Sequence, residues 1–503
     1  MKLSILALGV VIGLLAATCH PAQAQAPAVA STAAAPATNA LNTSDEANEG
    51  FFGHLNAAFL QQLGTPAYTP PDPKAPPPDR RGFPAPFDSP PYPTGDWQIG
   101  GVPCEIGDPG LTTDYPFMQA LDEGPDGKAI KDSRIKLYGW VDISGNLSTS
   151  HNTASSIYAN FPTSYDEVPN TVLLDQVVLY LERVPNEFQT DHIDWGFRIS
   201  ALYGLDYRYT IMDGIVSNQL LQRNQEYGYD FPMMHFDLYV PNVAQGLNIT
   251  LGRIISEPDI EAQLAPNNLM SSHSLLYTFD PFTQIGVFPS LKLTKNWTIQ
   301  TGFSFGNDVA PWVHGPYGAH PTVGLMVQWI SNDQKDSIYA GINGLNNEHF
   351  GYNNIQMVVQ TWTHKFSERF WSSTESWYMW QKDSPIAGSA LANQLTAEGF
   401  VPSGAFPTAH YASEWALLNY LNYRLAGNTF ASFRSEYFND KDGQRTGFAT
   451  PYVENTVGLT WWPDELITVR PELRYERALI GTPYDNGTKS HQRTLGMDVI
   501  FHF

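Results

Sequence analysis

From Arg134 onward the chain consists of segments about ten residues long in which apolar and polar side chains alternate, and the connections between them are short and long in turn. The clearest segment runs from Ile193 to Leu205. Ile193, Trp195, Phe197, Ile199, Ala201, Tyr203 and Leu205 share one face of a strand, while Asp194, Gly196, Arg198, Ser200, Gly204 and Asp206 share the other with Leu202. Seven alternations at about 3.3 Å per residue carry a tilted strand across a bilayer. Sixteen such segments begin near Ile135, Leu173, Ile193, Phe231, Leu247, Gln284, Trp297, Thr322, Ser337, Ile355, Phe370, Ser413, Thr429, Tyr452, Ile467 and Gln492.

Every second connection is turn-like, from Pro185 to Asp191, Pro241 to Gly246, Thr294 to Asn296, Asn332 to Asp336, Phe366 to Arg369, Ala426 to Asn428 and Pro463 to Glu465. The intervening ones are mostly much longer, as from His151 to Thr171, Ile211 to Asp230, Ser256 to Thr283, Gln381 to Ala412 and Ala478 to His491. Short periplasmic turns alternating with long outer loops are the pattern of bacterial outer-membrane barrels; a soluble sandwich has no reason to keep it over eight hairpins. The sequence therefore predicts an all-β, transmembrane, antiparallel up-and-down β-barrel of about sixteen strands over residues 134–503. The segment Gln381 to Ala412 is long enough to hold one further hairpin.

The aromatic residues test this topology separately. Trp297, Trp329 and Trp461 each lie on an apolar row beside a predicted periplasmic turn, where rings meet lipid headgroups. On the last strand Leu495, Met497, Val499, Phe501 and Phe503 alternate with Gly496, Asp498, Ile500 and His502. A terminal aromatic on an alternating strand resembles the signal read by the barrel-assembly machinery, so Phe501 and Phe503 are the expected assembly signal.

The first 24 residues read as a signal peptide, with Lys2, an apolar run from Leu3 to Ala17, and Ala22 and Ala24 at the −3 and −1 positions. Thr18 before Cys19 fits a lipoprotein signal poorly, and cleavage after Ala24 leaves Cys104 alone, without a disulfide partner. No later stretch approaches the roughly 18 apolar residues of a membrane helix, so a membrane crossing must use strands. Residues 25–133 form an N-terminal extension, placed in the periplasm or the barrel mouth. Within it residues 25 to about 48 read as disordered, and a short helix is predicted near 43–63, with Thr43 and Glu46 at capping-box spacing. Twelve prolines between Pro66 and Pro93 make the following stretch an extended connector.

Several phrases resemble one family, the OmpL-like β-barrel porins: GWVDISGNLSTS at Gly139 to Ser150, QTDHIDWGFRISALYGLDYRYT at Gln189 to Thr210, VAQGLNITLGRIISEPDIEAQLAPNN at Val243 to Asn268, LYTFDPFTQIGVF at Leu276 to Phe288 and GNDVAPW at Gly306 to Trp312. The resemblance covers roughly Pro93 to Phe503 and is densest before residue 315. It implies a porin and leaves the solute open.

A barrel of this size encloses a water-filled lumen, so the expected activity is passive diffusion of small hydrophilic solutes across the outer membrane of a Gram-negative bacterium. A plugged, structural or adhesive barrel is the alternative; it predicts bulky apolar inward rows, whereas the inward rows read as Gly, Ser, Thr, Gln, Asp and Arg. Selectivity would come from what narrows the pore. The third long loop carries Glu257, Asp259, Glu261 and Asp280, and the lumen rows offer Arg198, Arg208, Arg434, Arg470 and Arg474 by alternation. Opposed rows of charge would set a field across the pore; the plainer reading is that these charges pair and satisfy a polar interior. Arg253 would face lipid by strict alternation unless a bulge at Gly252 turns it inward.

No enzyme, metal or cofactor is expected. Gly302-Phe303-Ser304-Phe305-Gly306 matches the G-x-S-x-G pattern but ends a strand without a following helix. H-E-x-x-H and C-x-x-C are absent, and Asp440-Lys441-Asp442-Gly443 lacks the later acid of a calcium loop. The net charge of −22, with nothing concentrating Lys and Arg, argues against a nucleic-acid partner. The expected partners are outer-membrane lipid, the assembly machinery and solutes, with a homotrimer expected only by analogy with sixteen-stranded porins.

Overall fold

The computed structural model describes residues 50–64, 115–151, 159–163, 165–187, 189–255, 259–315, 318–333, 335–348, 355–367, 369–385 and 408–503. The signal peptide, both cysteines, the proline-rich connector and Glu257 lie outside the described residues.

Sixteen strands close into an antiparallel barrel. They are β1 Ile135–Ser148, β2 Val172–Arg183, β3 Asp194–Gly204, β4 in two pieces at Gly228–Asp230 and Met234–Val240, β5 Leu247–Ile255, β6 Thr283–Lys292, β7 Trp297–Asn307 and β8 Thr322–Ile330. The second half is β9 Asp336–Leu345, β10 Gln356–Ser367, β11 Phe370–Pro385, β12 Thr408–Ala426, β13 Thr429–Asp440, β14 Thr450–Asp464, β15 Ile467–Ala478 and β16 His491–His502. Each strand pairs with its chain neighbour, and β1 closes on β16 from Trp140 opposite His502 to Ser148 opposite Thr494. Closure leaves no edge carrying unpaired backbone groups, which is what a sheet immersed in hydrocarbon requires.

The alternation read from the sequence is the pleat. On β3, Trp195, Ile199 and Tyr203 are exposed, while Asp194, Arg198, Ser200 and Leu202 are buried. The turn-end tryptophans sit outside as expected: Trp297 and Trp461 are exposed, and the Trp297 and Trp329 rings are 6.4 Å apart.

The inward rows differ from the sequence reading. Besides polar residues they carry Tyr138, Trp140, Tyr180, Trp371, Phe430 and Trp462, which form one buried apolar cluster inside the barrel. Counting residue types along a row understates this, because single rings on different strands meet only after the sheet curves round.

Two irregularities re-aim side chains. A register shift between Asp142 and Ile143 against β2 buries consecutive residues, Asp175 and Gln176; a bulge of this kind adds one inward side chain. Gly252 has φ of +137°, and Arg253 is buried although the ladder register there is unbroken. Its guanidinium fills the interruption in β4, bonding the Asp230 carboxylate at 2.9 Å and the carbonyls of Phe231 and Thr210.

Among the described residues three helices precede the barrel: α1 Phe51–Gln62, α2 Pro116–Asp122 and α3 Gly127–Ser133. The predicted helix near 43–63 thus begins at Phe51 with Gly50 as its N-cap, and Thr43 and Glu46 lie outside the described residues. These helices pack at the turn end of the barrel. Phe59 stacks on Phe501 at 5.7 Å, Phe117 lies 6.0 Å from Phe503, and Tyr115 stacks on His502 at 5.1 Å. Both residues of the expected assembly signal are therefore in aromatic contact with the N-terminal helices.

Candidate pore constriction

The third long loop runs from β5 to β6. Its described part, Asp259 to Phe282, lies against the inner wall, with nearly every residue buried. A loop within a barrel removes many backbone groups from water, and each needs a partner. Here the partners are charged side chains on the inward rows of the second half of the barrel.

Three arginines supply most of the donors. Arg434 on β13 bonds the Glu261 carboxylate at 3.0 Å and the Ser272 carbonyl at 2.6 Å, with Glu454 on its other side at 3.2 Å. Arg470 on β15 bonds the carbonyls of Ala265 at 2.5 Å and Asn268 at 2.8 Å while its Nε meets Asp498 at 3.0 Å. Arg474, two pleat repeats further, bonds the His273 carbonyl at 2.5 Å and Glu476 at 2.6 Å. A guanidinium offers five donors in a fixed fork, so one side chain can hold a carboxylate and a carbonyl together, which a lysine ammonium does less well.

Carboxylates take the loop's N–H groups. Glu436 accepts from Leu275 at 2.9 Å and Leu276 at 2.5 Å, Glu375 from Ile260 at 2.8 Å, and Glu472 from Ser272 at 3.2 Å. On the opposite side Gln176, turned inward by the bulge, donates to the Gln263 carbonyl at 3.0 Å and accepts from Ala265 N–H at 3.2 Å. Hydrogen bonds to charged groups contribute about 1.5–3 kcal/mol each, so the loop is fixed to the wall at several points rather than draped across the opening.

Within the loop, burial pushes Glu261 upward, but Arg434, His273, Ser274 and Tyr420 together outweigh it and hold the carboxyl below its usual range. Burial drives His273 down to about 4 against the opposing pull of Glu261. At neutral pH the loop thus presents a carboxylate beside a neutral imidazole, whose Nε2 meets the Ala262 carbonyl at 2.8 Å. Asp259 is lifted to about 6, chiefly by burial.

The residues singled out from the sequence are not all brought together. Glu261, Arg434, Arg470 and Arg474 meet at the loop and its wall. Asp259 and Asp280, at the two ends of the described loop, are buried against each other, with Glu375 on β11 beside them, and Glu257 lies outside the described residues. Arg198 stands on the other half of the barrel, paired with Glu182 at 2.7 Å. Arg208 is a correction: it lies on no strand but in a 3-10 turn over Leu205–Tyr209, and it bonds the Gln225 carbonyl and Asn224 within the second long loop. The alternation of β3 stops at Gly204, two residues before strict counting would place Asp206 and Arg208 in the lumen.

Sequence reasoning passed over the acids that face these arginines, Glu436, Glu454, Glu472, Glu476 and Asp498, and over Glu375, which faces Asp259. One signal was available, since Arg470, Glu472, Arg474 and Glu476 alternate on one row with opposite charges in turn.

The other motifs have structural explanations. Gly302 to Gly306 lies inside β7, without the strand-to-helix turn of a nucleophile elbow. Asp440 accepts from the N–H groups of Gln444, Arg445 and Thr446 at 3.0, 3.1 and 2.7 Å, anchoring a turn. Among the described residues no group of three or more His, Cys, Asp or Glu is placed to hold a metal ion.

A family model described as "Putative beta-barrel porin-2, OmpL-like" matches residues 134–503. The chain belongs to this OmpL-like porin family. Among solved structures, this OmpL-like porin is similar to the anion-selective porin from Comamonas acidovorans, at 10% identity and a TM-score of 0.46 over 73% of this chain and 99% of that one. It is also similar to the outer membrane channel DcaP of Acinetobacter baumannii, at 11% identity and a TM-score of 0.43 over 73% and 97%. The OmpF structure from Salmonella typhi in complex with daunomycin matches at 10% identity and a TM-score of 0.44 over 73% and 97%. No curated protein matches the chain. Family and fold place the OmpL-like porin in the outer membrane and point to a channel rather than an enzyme.

Proposed function

We propose that this barrel is a diffusion channel for small hydrophilic solutes, narrowed by the third long loop where it lies on the Arg434, Arg470 and Arg474 wall. The observation that supports this reading is the loop's attachment by charge-assisted bonds to one side of a sixteen-stranded lumen. Around it three guanidiniums stand among six carboxylates, from Glu261, Glu436, Glu454, Glu472, Glu476 and Asp498. Fully ionised, that set is anionic, which favours cations. The N-terminal helices at the turn end are assigned to the periplasmic side, and the aromatic strand end at Phe501 and Phe503 to recognition by the assembly machinery.

A second reading, a barrel shut at rest, draws on the burial of lumen-row residues on β7 and β8: Gln300 is 2% exposed and Gln328 1%. Single-channel recording of the purified, refolded barrel in a planar bilayer separates the two. The diffusion channel predicts stepwise, cation-preferring conductance, and a shift towards anions when Glu261 is changed to Gln, because Arg434 then keeps only Glu454 as its carboxylate. A folded barrel that never conducts would sink the diffusion reading in favour of the shut one.

A further inference from the structure

The first long loop, between β1 and β2, turns into the barrel instead of standing over it. Among its described residues Asn160, Phe161, Thr163, Tyr165, Asp166 and Glu167 are all buried. Buried polar groups need partners, and the inward rows supply them. Thr163 donates its hydroxyl proton to Glu476 on β15 at 2.5 Å and accepts from Gln492 on β16 at 2.6 Å, and the same Gln492 amide donates to the Asn160 carbonyl at 3.0 Å. Asn146 on β1 donates to the Val168 carbonyl at 2.9 Å. The loop is thus fixed to the strands around the β1–β16 seam.

One side chain carries the loop beyond this wall. The Tyr165 ring stacks on Tyr209 with centroids 4.3 Å apart and on His273 at 3.8 Å, and His273 in turn stacks on Tyr277 at 4.9 Å. The Tyr165 hydroxyl donates to the Gln263 side chain at 2.5 Å, and its backbone N–H donates to the Tyr209 hydroxyl at 3.3 Å. Tyr209 ends the 3-10 turn after β3, whereas His273 belongs to the third long loop, where Arg474 on β15 holds its carbonyl. The rings therefore join β3 to the third loop across the sector of lumen lined by β16, β1 and β2. The backbone agrees: φ at Tyr165 is +67°, a left-handed conformation that a bulky residue keeps only where several contacts over-determine it.

We infer that the first long loop is a second jaw of the pore, closing this sector against the third loop, and that the Tyr165 ring sets the remaining aperture. The inference rests on the diffusion-channel reading and adds to it a residue that discriminates by cross-section. A phenol is neutral and its ring rigid, so it acts on the width of the opening, while the arginines and carboxylates of the third-loop wall act on charge. Truncating the ring leaves the loop's bonds to β1, β15 and β16 in place, because none of them uses the Tyr165 side chain. The barrel is therefore expected to fold with a gap where the stack stood.

The test uses the exported chain purified from outer membranes, with Cys104→Ser as the background, recorded in planar bilayers. Tyr165→Cys is expected to raise the unit conductance about twofold and to admit larger neutral polyethylene glycols. Capping the new thiol with benzyl methanethiosulfonate returns a ring to the same place and should reverse both changes in the same folded channel, which a merely structural role for Tyr165 would not produce. Unchanged conductance in Tyr165→Cys, or a rise that capping leaves in place, would overturn the inference and leave the diffusion channel standing. A silent background that Tyr165→Cys opens and capping shuts again would support the inference and overturn the reading of a channel open at rest. Silence from both would overturn both. If Tyr165→Cys fails to fold, His273→Ala, which removes the partner ring on the third loop, is read against the same conductance outcomes.

Discussion

Replacing Arg434 by methionine is expected to lower the thermal unfolding temperature of the barrel more than any other single change on the loop wall, and to make the channel more cation-selective and noisier. The guanidinium sits fully buried between Glu261 and Glu454 and also bonds the Ser272 carbonyl. Methionine fills much of the volume but removes the cation shared by two buried carboxylates and a donor to the Ser272 carbonyl, leaving Glu261 with its bonds from Ser274 and Tyr420 and Glu454 with Thr456 and the more distant Arg474. Removing one partner of a buried pair costs about 3–5 kcal/mol, far above the ~1 kcal/mol of an exposed pair. Most of that cost should fall on the loop's attachment, because the β12–β13 and β13–β14 ladders do not depend on the side chain. Adding Glu261→Gln should recover part of the loss, since the pair is in direct contact and the two changes are not additive. Thermal unfolding followed by circular dichroism, with single-channel recording of the same samples, tests both parts. An unfolding temperature unchanged from wild type would mean that Arg434 does not hold the loop.

Excising the loop is expected to have the larger effect on conductance. Residues 259–281 replaced by a short Gly-Ser linker should raise the unit conductance several-fold while the barrel still folds. The β5–β6 ladder is continuous from Leu247 opposite Leu291 to Ile255 opposite Thr283, so strand pairing survives the deletion. The wall arginines also keep carboxylate partners on the strands: Arg434 keeps Glu454, Arg470 keeps Asp498, and Arg474 keeps Glu476. Selectivity should weaken at the same time, because the charges would then stand in a wider aqueous section where screening is stronger. An unchanged unit conductance would show that the narrowest point lies elsewhere, and a variant as silent as a silent wild type would show that a different element shuts the lumen.

How much of this was legible beforehand depends on how local the cause is. All sixteen strands could be read from the chain, because the pleat turns alternate residues to lipid and lumen, so solvent preference is written directly along the sequence. The connection lengths likewise fixed which end carries turns and which carries loops. Arg470 and Arg474 were placed inward by the same counting. Arg208 was not, because β3 gives way to a 3-10 turn at Leu205, and alternation has no meaning beyond a strand's end.

The sequence by itself determined an exported, closed, sixteen-stranded outer-membrane barrel, because the hydrophobic period and the cost of unpaired backbone in lipid leave no other architecture for such a pattern. Only the tertiary structure decided that the third loop's Glu261 and backbone carbonyls join the wall arginines in a bonded lattice rather than facing them across open water. It also decided that rings from separate strands gather into one buried cluster within the barrel. Those contacts link residues as far apart in the chain as Ala265 and Arg470. Their partners are chosen by curvature, register and bulges, which no local periodicity encodes.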